Sequence, residues 1–249
     1  MKSKLLLLTI FIFAVSVSGF GQVTMLNPKK ITYTRKKPIM DGKKTFTITY
    51  PRVKAATPTI SKKIEAVLSY EKAFDFKLSE EMGEIQWLED ASYDVNYNAN
   101  KLLSIRLTIE GSGAYPSSST KYIVVNTATG TRVRPIDVFV NTNGLLAQLK
   151  KLKDAEVEKT KADLKKDPEY KDEDISGLFT DGDIYNKLKL DAFEIDENGI
   201  VFHHDYGFPH VAQALQPPGE FFLTWDELKP FIKKGSVLAA AALVQNGAR

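Results

Sequence analysis

The chain has 249 residues, of which 43% are apolar and 26% are charged, and its formal net charge is +3. This composition is typical of a globular protein and excludes a disordered, collagen-like or low-complexity chain. Because there is no cysteine, disulfides, thiolate metal sites, a cysteine nucleophile and lipid attachment to an N-terminal cysteine are excluded as well.

The N-terminus predicts a secretory signal. Lys2 and Lys4 precede an apolar run over residues 5–17, and small residues follow it as a cleavage site. The run is shorter than the roughly 20 apolar residues that span a bilayer. We therefore expect residues 1–22 to be a signal peptide and residues 23–249 to form one extracytoplasmic domain, periplasmic or secreted, without a membrane span. Removal of the two lysines leaves a net charge of +1.

Charge is unevenly distributed along the chain. Residues 29–63 contain eleven basic side chains and one acid, whereas residues 167–197 contain eleven acids and three lysines. The basic stretch could approach an anionic polymer or a membrane surface, and the acidic stretch a cationic protein. The alternative is that both are solvated faces of the fold.

The pattern of apolar residues predicts mixed secondary structure. Alternating β-branched and aromatic residues indicate strands, and short connections between the central strands indicate an antiparallel meander. Thr57 and Pro58 supply the N-cap and the first-turn proline of an amphipathic helix. We predict strands over 31–35, 45–50, 92–98, 102–110, 120–126, 193–195, 200–202 and 220–224, and helices over 57–74, 143–165, 183–190 and 226–233. The fold class is α+β, an antiparallel β-sheet meander with helices packed on one side.

Two further segments have distinct compositions. Residues 111–119, rich in glycine and serine, predict an exposed loop between two strands. Residues 237–244 are apolar and alanine-rich, and they are too few to cross a membrane. We expect them to form a helix that docks either on the core or on a second copy of the chain.

Several short motifs follow one another in a characteristic order. They are Tyr50-Pro51, 92–98, 103–105, 110–114, Tyr122, Thr129-Gly130, 137–139, 199–202 and 226–228. Over about residues 31–234 this order resembles a family of extracytoplasmic domains of unknown function. Its members occur in lysozyme-sensing anti-sigma factors and ahead of the catalytic domain of certain peptidoglycan deacetylases. The resemblance implies a non-catalytic role at the cell envelope, through recognition of lysozyme or of wall glycan. Tyr115 stands where the family's glycine loop usually carries histidine, and neither a sigma-binding segment nor a deacetylase domain is present in this sequence.

The three histidines are close together in the sequence and suggest a metal or acid–base site. If residues 199–204 form a strand, His203 and His204 point to opposite faces, so at most one of them can join His210 in a ligand set. A zinc site would then need carboxylates from elsewhere, such as Asp181 or Asp183. The alternative is a solvated turn with polar histidines. We retain His204 and His210 as metal candidates, and the three-histidine cluster as the basis of an alternative function, a polysaccharide-directed hydrolase or deacetylase accessory.

Other catalytic motifs are missing from the sequence. There is no Gly-x-Ser-x-Gly elbow, phosphate loop, dinucleotide fingerprint or calcium loop. We therefore predict no cofactor and no nucleic-acid partner. For a glycosidase pair, Glu110 is the acid that we would test, and its alternative role is that of a charged strand end.

The binding hypothesis depends on the 111–119 loop and on residues 206–209. Tyrosine offers a large contact area at low entropic cost, and serine offers adaptable hydrogen bonds. Aromatic residues beside a turn could stack on sugar rings, or they could close the core. We predict an exported, non-catalytic module that recognises a lysozyme-like protein or peptidoglycan glycan through Glu110, Ser112, Tyr115, Ser117, Tyr206 and Phe208.

Overall fold

The structure, a computed structural model, describes residues 25–170, 176–179 and 188–246. The predicted signal peptide, Asp181, Asp183 and much of the acidic stretch lie outside these residues. The helix predicted over 183–190 does so too, except for residues 188–190, which are not helical.

Six strands form the main sheet, and their spatial order is their order in the sequence. They are β1 Met25–Thr34, β2 Thr45–Lys54, β3 Leu88–Ala99, β4 Leu102–Ser112, β5 Pro116–Asn126 and β6 Thr131–Arg132. The predicted meander of β3, β4 and β5 is antiparallel. The one parallel pair is β2 with β3, aligned at Thr47↔Asp90 and Ile48↔Ala91. Parallel neighbours need a crossover connection between them, and the helices between β2 and β3 provide it.

Three helices connect β2 to β3 and cover one face of the main sheet: α1 Pro58–Val67, α2 Tyr70–Phe74 and α3 Leu78–Met82. The predicted N-cap is confirmed, because Oγ1 of Thr57 accepts a hydrogen bond from the Ile60 amide at 3.2 Å. Ile64 and Leu68 turn inward and are fully buried against the sheet.

A second sheet covers the opposite face. Its strands β7 Phe193–Asp196, β8 Gly199–His203 and β9 Glu220–Thr224 are antiparallel and lie in sequence order. The amide of Ile195 donates to Oγ of Ser104 on β4 at 2.9 Å, and both residues are fully buried. This bond ties the second sheet to the centre of the first. The strands themselves are close to those predicted, and the α+β class is confirmed.

The remaining elements surround the two sheets. They are α4 Pro135–Val138, α5 Thr142–Leu164, α6 Trp225–Leu228, α7 Val237–Asn246 and the 3₁₀ segments Asp41–Lys43, Ser176–Phe179 and His210–Leu215. Leu238 and Ala241 of α7 are fully buried in the core beside the second sheet. Of the two alternatives for the apolar tail, the structure therefore shows docking on the core. Nowhere in the described ranges is a helix both long and apolar enough to cross a membrane.

Two sequence expectations are corrected. The predicted loop over 111–119 is much shorter, because β4 and β5 remain paired as far as Ser112↔Pro116 and only residues 113–115 connect them. The backbone ladder extends through the serine-rich stretch despite the low strand propensity of serine, since context outweighs propensity in sheets. The basic stretch is also less exposed than its sequence suggests, because Arg35 and Lys43 are buried.

Candidate functional site

A polar cleft of about 820 Å³ lies where β5 of the main sheet meets the end of β8. Residues 118–122 of β5 line it on one side, and residues 203–205 at and after the end of β8 line it on the other. Hydroxyl, imidazole, amide and charged groups therefore face the same space, while the strands of two packed sheets hold their backbones in place.

Two stacked rings lie within the lining. The rings of Tyr122 and His203 are almost parallel, at 4°, with centroids 3.5 Å apart. Nε2 of His203 is 3.3 Å from Oε1 of Glu194, and Nδ1 is 3.9 Å from Oε1 of Glu220. The histidine therefore bridges one buried and one exposed carboxylate, since Glu194 is on the interior strand face and 58% of the Glu220 side chain is accessible.

An ion pair between the half-buried Arg106 and the buried Glu194 lies next to these rings. Nη2 of Arg106 donates to Oε1 of Glu194 at 2.9 Å, and the guanidinium lies 5.5 Å from the centre of the Tyr122 ring. Burial raises the pKa of Glu194, but the contacts with His203 and Arg106 outweigh it and leave that pKa below its ordinary value. Burial lowers the pKa of Arg106, but Glu194 together with Tyr122 and Glu220 raises that pKa above its ordinary value. Both groups are therefore charged at neutral pH.

Three polar atoms of this cluster lack hydrogen-bond partners among the described residues: Nε of Arg106, Oε2 of Glu194 and Nε2 of His203. At 3.3 Å, the approach of His203 Nε2 to Glu194 Oε1 is close but lacks the geometry of a hydrogen bond. A buried polar atom without a partner costs about 1–3 kcal/mol. The cluster is therefore not arranged for maximal stability, which is typical of residues retained for another role.

Helix α5 fixes one side of the cleft. Glu156 accepts hydrogen bonds from the hydroxyl of Tyr206 at 2.7 Å and from the amide of Gly219 at 3.1 Å. The carbonyl of Gly219 in turn accepts from the amide of His204 at 2.8 Å. Gly219 has a φ of +67°, and a Cβ there would clash with the carbonyl oxygen of His204. Only glycine fits this close approach of two backbone segments.

The structure places Tyr115 and His210 together, apart from the cleft lining. Tyr115 is 66% exposed, and its ring centre is 5.1 Å from that of His210. Nε2 of His210 is 3.4 Å from the carbonyl oxygen of Pro116. These two residues, predicted separately from the sequence, form one exposed aromatic pair at the end of the β4–β5 hairpin.

The other polar candidates on this hairpin have different surroundings. Ser112 interacts with the buried Nζ of Lys43 and with Glu89, and Oγ of Ser117 accepts from the indole of Trp87 at 3.3 Å. Glu110 is exposed; it pairs across the ladder with Ser118 and so shares the sheet face of Arg106, but it does not line the cleft.

Tyr206 and Phe208 correct the expectation of an exposed stacking platform. They are only 3% and 5% exposed. The hydroxyl of Tyr206 is bound to Glu156, and Phe208 packs edge-to-face on Phe179 at 5.2 Å. Neither ring presents a face to solvent, so the core-closing alternative describes both residues.

The three histidines have different neighbours, although His203 and His204 both line the cleft. His203 faces Tyr122, His204 packs edge-on against Tyr206 at 4.7 Å, and His210 contacts the hairpin end. Within the part of the chain that the structure describes, no three histidine, aspartate or glutamate side chains form a group that could hold a metal ion.

Sequence reasoning missed Arg106, Tyr122 and Glu194 as a cluster. Each is in a predicted strand. The sequence feature that could have indicated the pair is a charged residue inside an otherwise apolar strand, Arg106 in residues 102–109 and Glu194 in residues 193–195. Such a residue must have a partner when it is buried. The pairing itself joins strands 88 residues apart and depends on how the two sheets pack.

Comparison with known proteins supports the fold. No protein-family profile matches the chain, and no curated protein does. Three packed layers define its class: helices, a six-stranded sheet and a three-stranded sheet. Two solved structures of DUF3298 family proteins share this fold. One, from Bacteroides fragilis NCTC 9343, has a TM-score of 0.53 and 14% identity, over 89% of this chain and 98% of that one. The other, from Pseudomonas aeruginosa PAO1, has a TM-score of 0.54 and 12% identity, over 85% and 94%.

At these identities the likeness establishes the fold. The likeness therefore supports the predicted resemblance only as far as a family of domains of unknown function.

Proposed function

We propose that this protein is a non-catalytic module of the cell envelope that binds a saccharide in the cleft between its two sheets. The observation that carries the proposal is the lining of the cleft, in which serine and threonine hydroxyls face histidine, lysine, arginine and glutamine beside the stacked Tyr122 and His203. A ligand site combines a concave surface with a few polar groups that fix orientation. Sugars present many hydroxyls and suit such a lining.

The location at the envelope depends on two sequence arguments. Residues 1–22 predict export, and the motif order resembles extracytoplasmic domains that are linked to lysozyme sensing and peptidoglycan modification. Peptidoglycan glycan is therefore the saccharide that we propose. The fold likeness to DUF3298 proteins is compatible with this proposal and says nothing of the ligand.

A binding role suits the chemistry of the cleft better than hydrolysis. A glycosidase needs a carboxylic acid that stays protonated to donate to the leaving group. Glu194 instead has a lowered pKa, because His203 and Arg106 outweigh the effect of its burial. It is an ionised partner in an ion pair rather than a proton donor.

Calorimetric titration with chitotetraose, a β-1,4-linked N-acetylglucosamine oligomer, tests this proposal. Ser118 is exposed and lines the cleft, whereas its neighbour Ser117 is exposed and does not. We expect saturable binding that Ser118→Trp abolishes by filling the cleft and that Ser117→Trp leaves unchanged. Circular dichroism establishes that both variants are folded.

Other outcomes separate the remaining hypotheses. Absence of heat with the oligosaccharide overturns the proposal. If a c-type lysozyme then binds, and Tyr115→Ala weakens it, recognition of a protein through the hairpin end replaces the saccharide. Release of reducing sugar that is lost in His204→Ala or Glu110→Gln would support the hydrolase alternative.

A further inference from the structure

Three connections between elements lie at the same end of the main sheet. The first and last are hairpin connections, closed by the pairs Thr34↔Thr45 and Ser112↔Pro116. The second precedes β3, which begins at the same end as β2 because the two strands are parallel, and beside the end of β4 because those two are antiparallel. Together these connections form the loop end of the protein: residues 35–44, 83–87 and 113–115.

The loop end exposes large apolar side chains. Four of them are between 55% and 66% exposed: Ile39, Met40, Ile85 and Tyr115. The connections at the other end of the sheet, residues 55–57, 100–101 and 127–130, contain no large apolar residue. Single exposed apolar residues are ordinary, whereas a concentration of them indicates an interaction surface.

Two buried side chains hold the three connections together. Oε1 of Gln86, in the second connection, accepts a hydrogen bond from the amide of Ile39, in the first, at 2.9 Å. Nζ of Lys43 donates to the carbonyl oxygens of Trp87 and Ser112, at 3.2 and 2.7 Å. The apolar side chains are therefore presented on an ordered backbone, so that binding costs little ordering of the loops.

Some charges of the loop end are internal. Arg35 pairs with Glu81 at 3.4 Å, and Lys43 pairs with Glu89 at 2.5 Å. Both cations are buried. Each pair is neutral as a whole, so neither contributes net charge to the surface.

The other charges of the loop end are exposed. They are three lysines and two acids: Lys36, Lys37, Lys44, Asp41 and Glu84. Two further carboxylates, Glu110 and Asp90, face each other across the ladder, and Glu110 is two residues, or about 7 Å, back from the end of β4. At the tips themselves the lysines therefore exceed the acids by one. Their long stems can lie along apolar surface while the ammonium groups reach a charged layer.

From these observations we infer that the loop end docks on a phospholipid bilayer with anionic headgroups. The four exposed apolar side chains enter the interface, and the exposed lysines contact headgroup phosphates. The apolar side chains project from separate connections instead of lining a groove, which suits a fluid interface, and tyrosine is enriched at such interfaces. Among the described residues, the lining of the cleft includes none of the loop end, so the inference is independent of saccharide binding.

Co-sedimentation with vesicles of phosphatidylglycerol and phosphatidylcholine tests this inference. We expect the protein to bind, and Ile39→Glu to weaken binding about tenfold or more, because a charge replaces an inserted apolar side chain. Ile136→Glu is the matched control, since Ile136 is 71% exposed on α4, outside the loop end. Circular dichroism checks that both variants fold. The apolar run of residues 5–17 is common to both and produces no difference between them.

Tryptophan fluorescence reports which end of the protein meets the lipid. The chain has two tryptophans: Trp87 is in the loop end, and Trp225 is buried in the core beside the second sheet. Brominated lipid should quench the emission of Trp87, and Trp87→Phe should abolish the quenching. Quenching that persists in Trp87→Phe overturns the proposed orientation.

The headgroup preference tests the lysines. Vesicles of phosphatidylcholine alone should bind about fivefold more weakly than those containing phosphatidylglycerol. Lys36→Gln and Lys37→Gln should each reduce this preference, whereas Lys62→Gln, at an exposed position on α1, should not. Equal binding to both kinds of vesicle refutes the anionic surface.

The remaining outcomes separate docking from other roles. Absence of co-sedimentation, or equal losses in Ile39→Glu and Ile136→Glu, overturns the inference. If vesicles do not bind but a c-type lysozyme does, and Ile39→Glu weakens it, the loop end binds a protein instead. Titration with chitotetraose is a separate measurement, so failure of the docking and failure of the proposed function are distinguishable.

Discussion

Arg35 is an interior residue although it belongs to the most basic stretch of the sequence. Its guanidinium donates to the carbonyl oxygens of Glu81, Lys43 and Leu88 at 2.7–2.8 Å and lies 4.4 Å from the centre of the Phe46 ring. It also pairs with the carboxylate of Glu81 at 3.4 Å. One side chain thus joins the β1–β2 connection to α3 and to the start of β3.

Arg35→Met should lower the free energy of unfolding by about 3–5 kcal/mol, because it leaves Glu81 as a buried carboxylate without its cation. Arg52→Met is the matched control. Arg52 pairs with Glu65 at 2.9 Å, but its side chain is 45% exposed, so the expected loss is about 1 kcal/mol or less. Urea denaturation measures both. A loss in Arg35→Met as small as the one expected for Arg52→Met would show that the interior arginine is dispensable.

Glu194 should make stability depend on acid pH. Its pKa in the folded protein is below the ordinary value of 4.5, since His203 and Arg106 outweigh burial. The unfolded chain therefore binds the proton more readily, and stability rises with pH through this range. The contribution of Glu194 is fully present above about pH 5 and is lost as the pH falls through the folded-state pKa.

The measurement is unfolding free energy from pH 6 to pH 3 in Glu194→Gln and Glu220→Gln. Glu194→Gln should flatten the pH dependence. Glu220→Gln should not, because that carboxylate is largely exposed. Parallel curves for the wild-type protein and Glu194→Gln would contradict the ion pair.

At the scale of elements, the segment before β9 is held against the segment after β8 by Gly219. Gly219→Ala should cost about 2–4 kcal/mol, because the residue has a positive φ and its Cβ would meet the His204 carbonyl. Gly42→Ala is the control: no atom lies within 4 Å of a Cβ there, and the expected change is within about 0.5 kcal/mol. Chemical denaturation of both variants provides the comparison. Equal effects would mean that the two segments do not approach as closely as described.

The docking of α7 yields a second prediction at this scale. Leu238 is fully buried and Leu243, on the same helix, is 73% exposed. Leu238→Ala should destabilise the protein by about 2–4 kcal/mol and Leu243→Ala by about 0.5 kcal/mol or less. Thermal and urea unfolding measure the difference. If Leu243→Ala is the more costly of the two, the exposed side of α7 makes contacts that the isolated chain does not contain.

The sequence predicted elements better than it predicted their arrangement. The cap at Thr57, the strand over 220–224 and the turn between Ile195 and Ile200 follow from local chemistry, and the structure has all three. The separate second sheet and the cleft do not follow, because both depend on contacts between distant strands. Tyr206 shows the same limit, since an aromatic residue beside a turn is compatible with exposure or with burial until its partner on α5 is known.

At the scale of the whole molecule, β4 belongs to two cores. Leu103, Ile105 and Leu107 face the helices, whereas Leu102 and Ser104 face the second sheet, and all five are fully buried. The strand is also paired on both edges. No opening that exposes β4 can leave both cores intact.

Hydrogen exchange should therefore rank the strands. Amides of residues 103–107 should exchange only through global unfolding, whereas those of the two-residue edge strand Thr131–Arg132 should exchange by local opening. Native-state exchange read by NMR checks this order. The amide of Ile105, in the middle of β4, is the one to follow. Its rapid exchange would contradict the conclusion that β4 is buried in both cores.

Because the cleft lies at the junction of the two sheets, ligand binding in the cleft should stabilise the packing of one sheet on the other. Residues 118–122 belong to one sheet, and His203 belongs to the other. A ligand that contacts both sheets binds the protein only while the two sheets are packed together. By mass action, ligand binding therefore opposes separation of the sheets. At a free concentration 100 times its dissociation constant it adds about 2.7 kcal/mol to the cost of opening. The protein would then be most resistant to heat and to proteases where its ligand is abundant, and an empty copy would be degraded first.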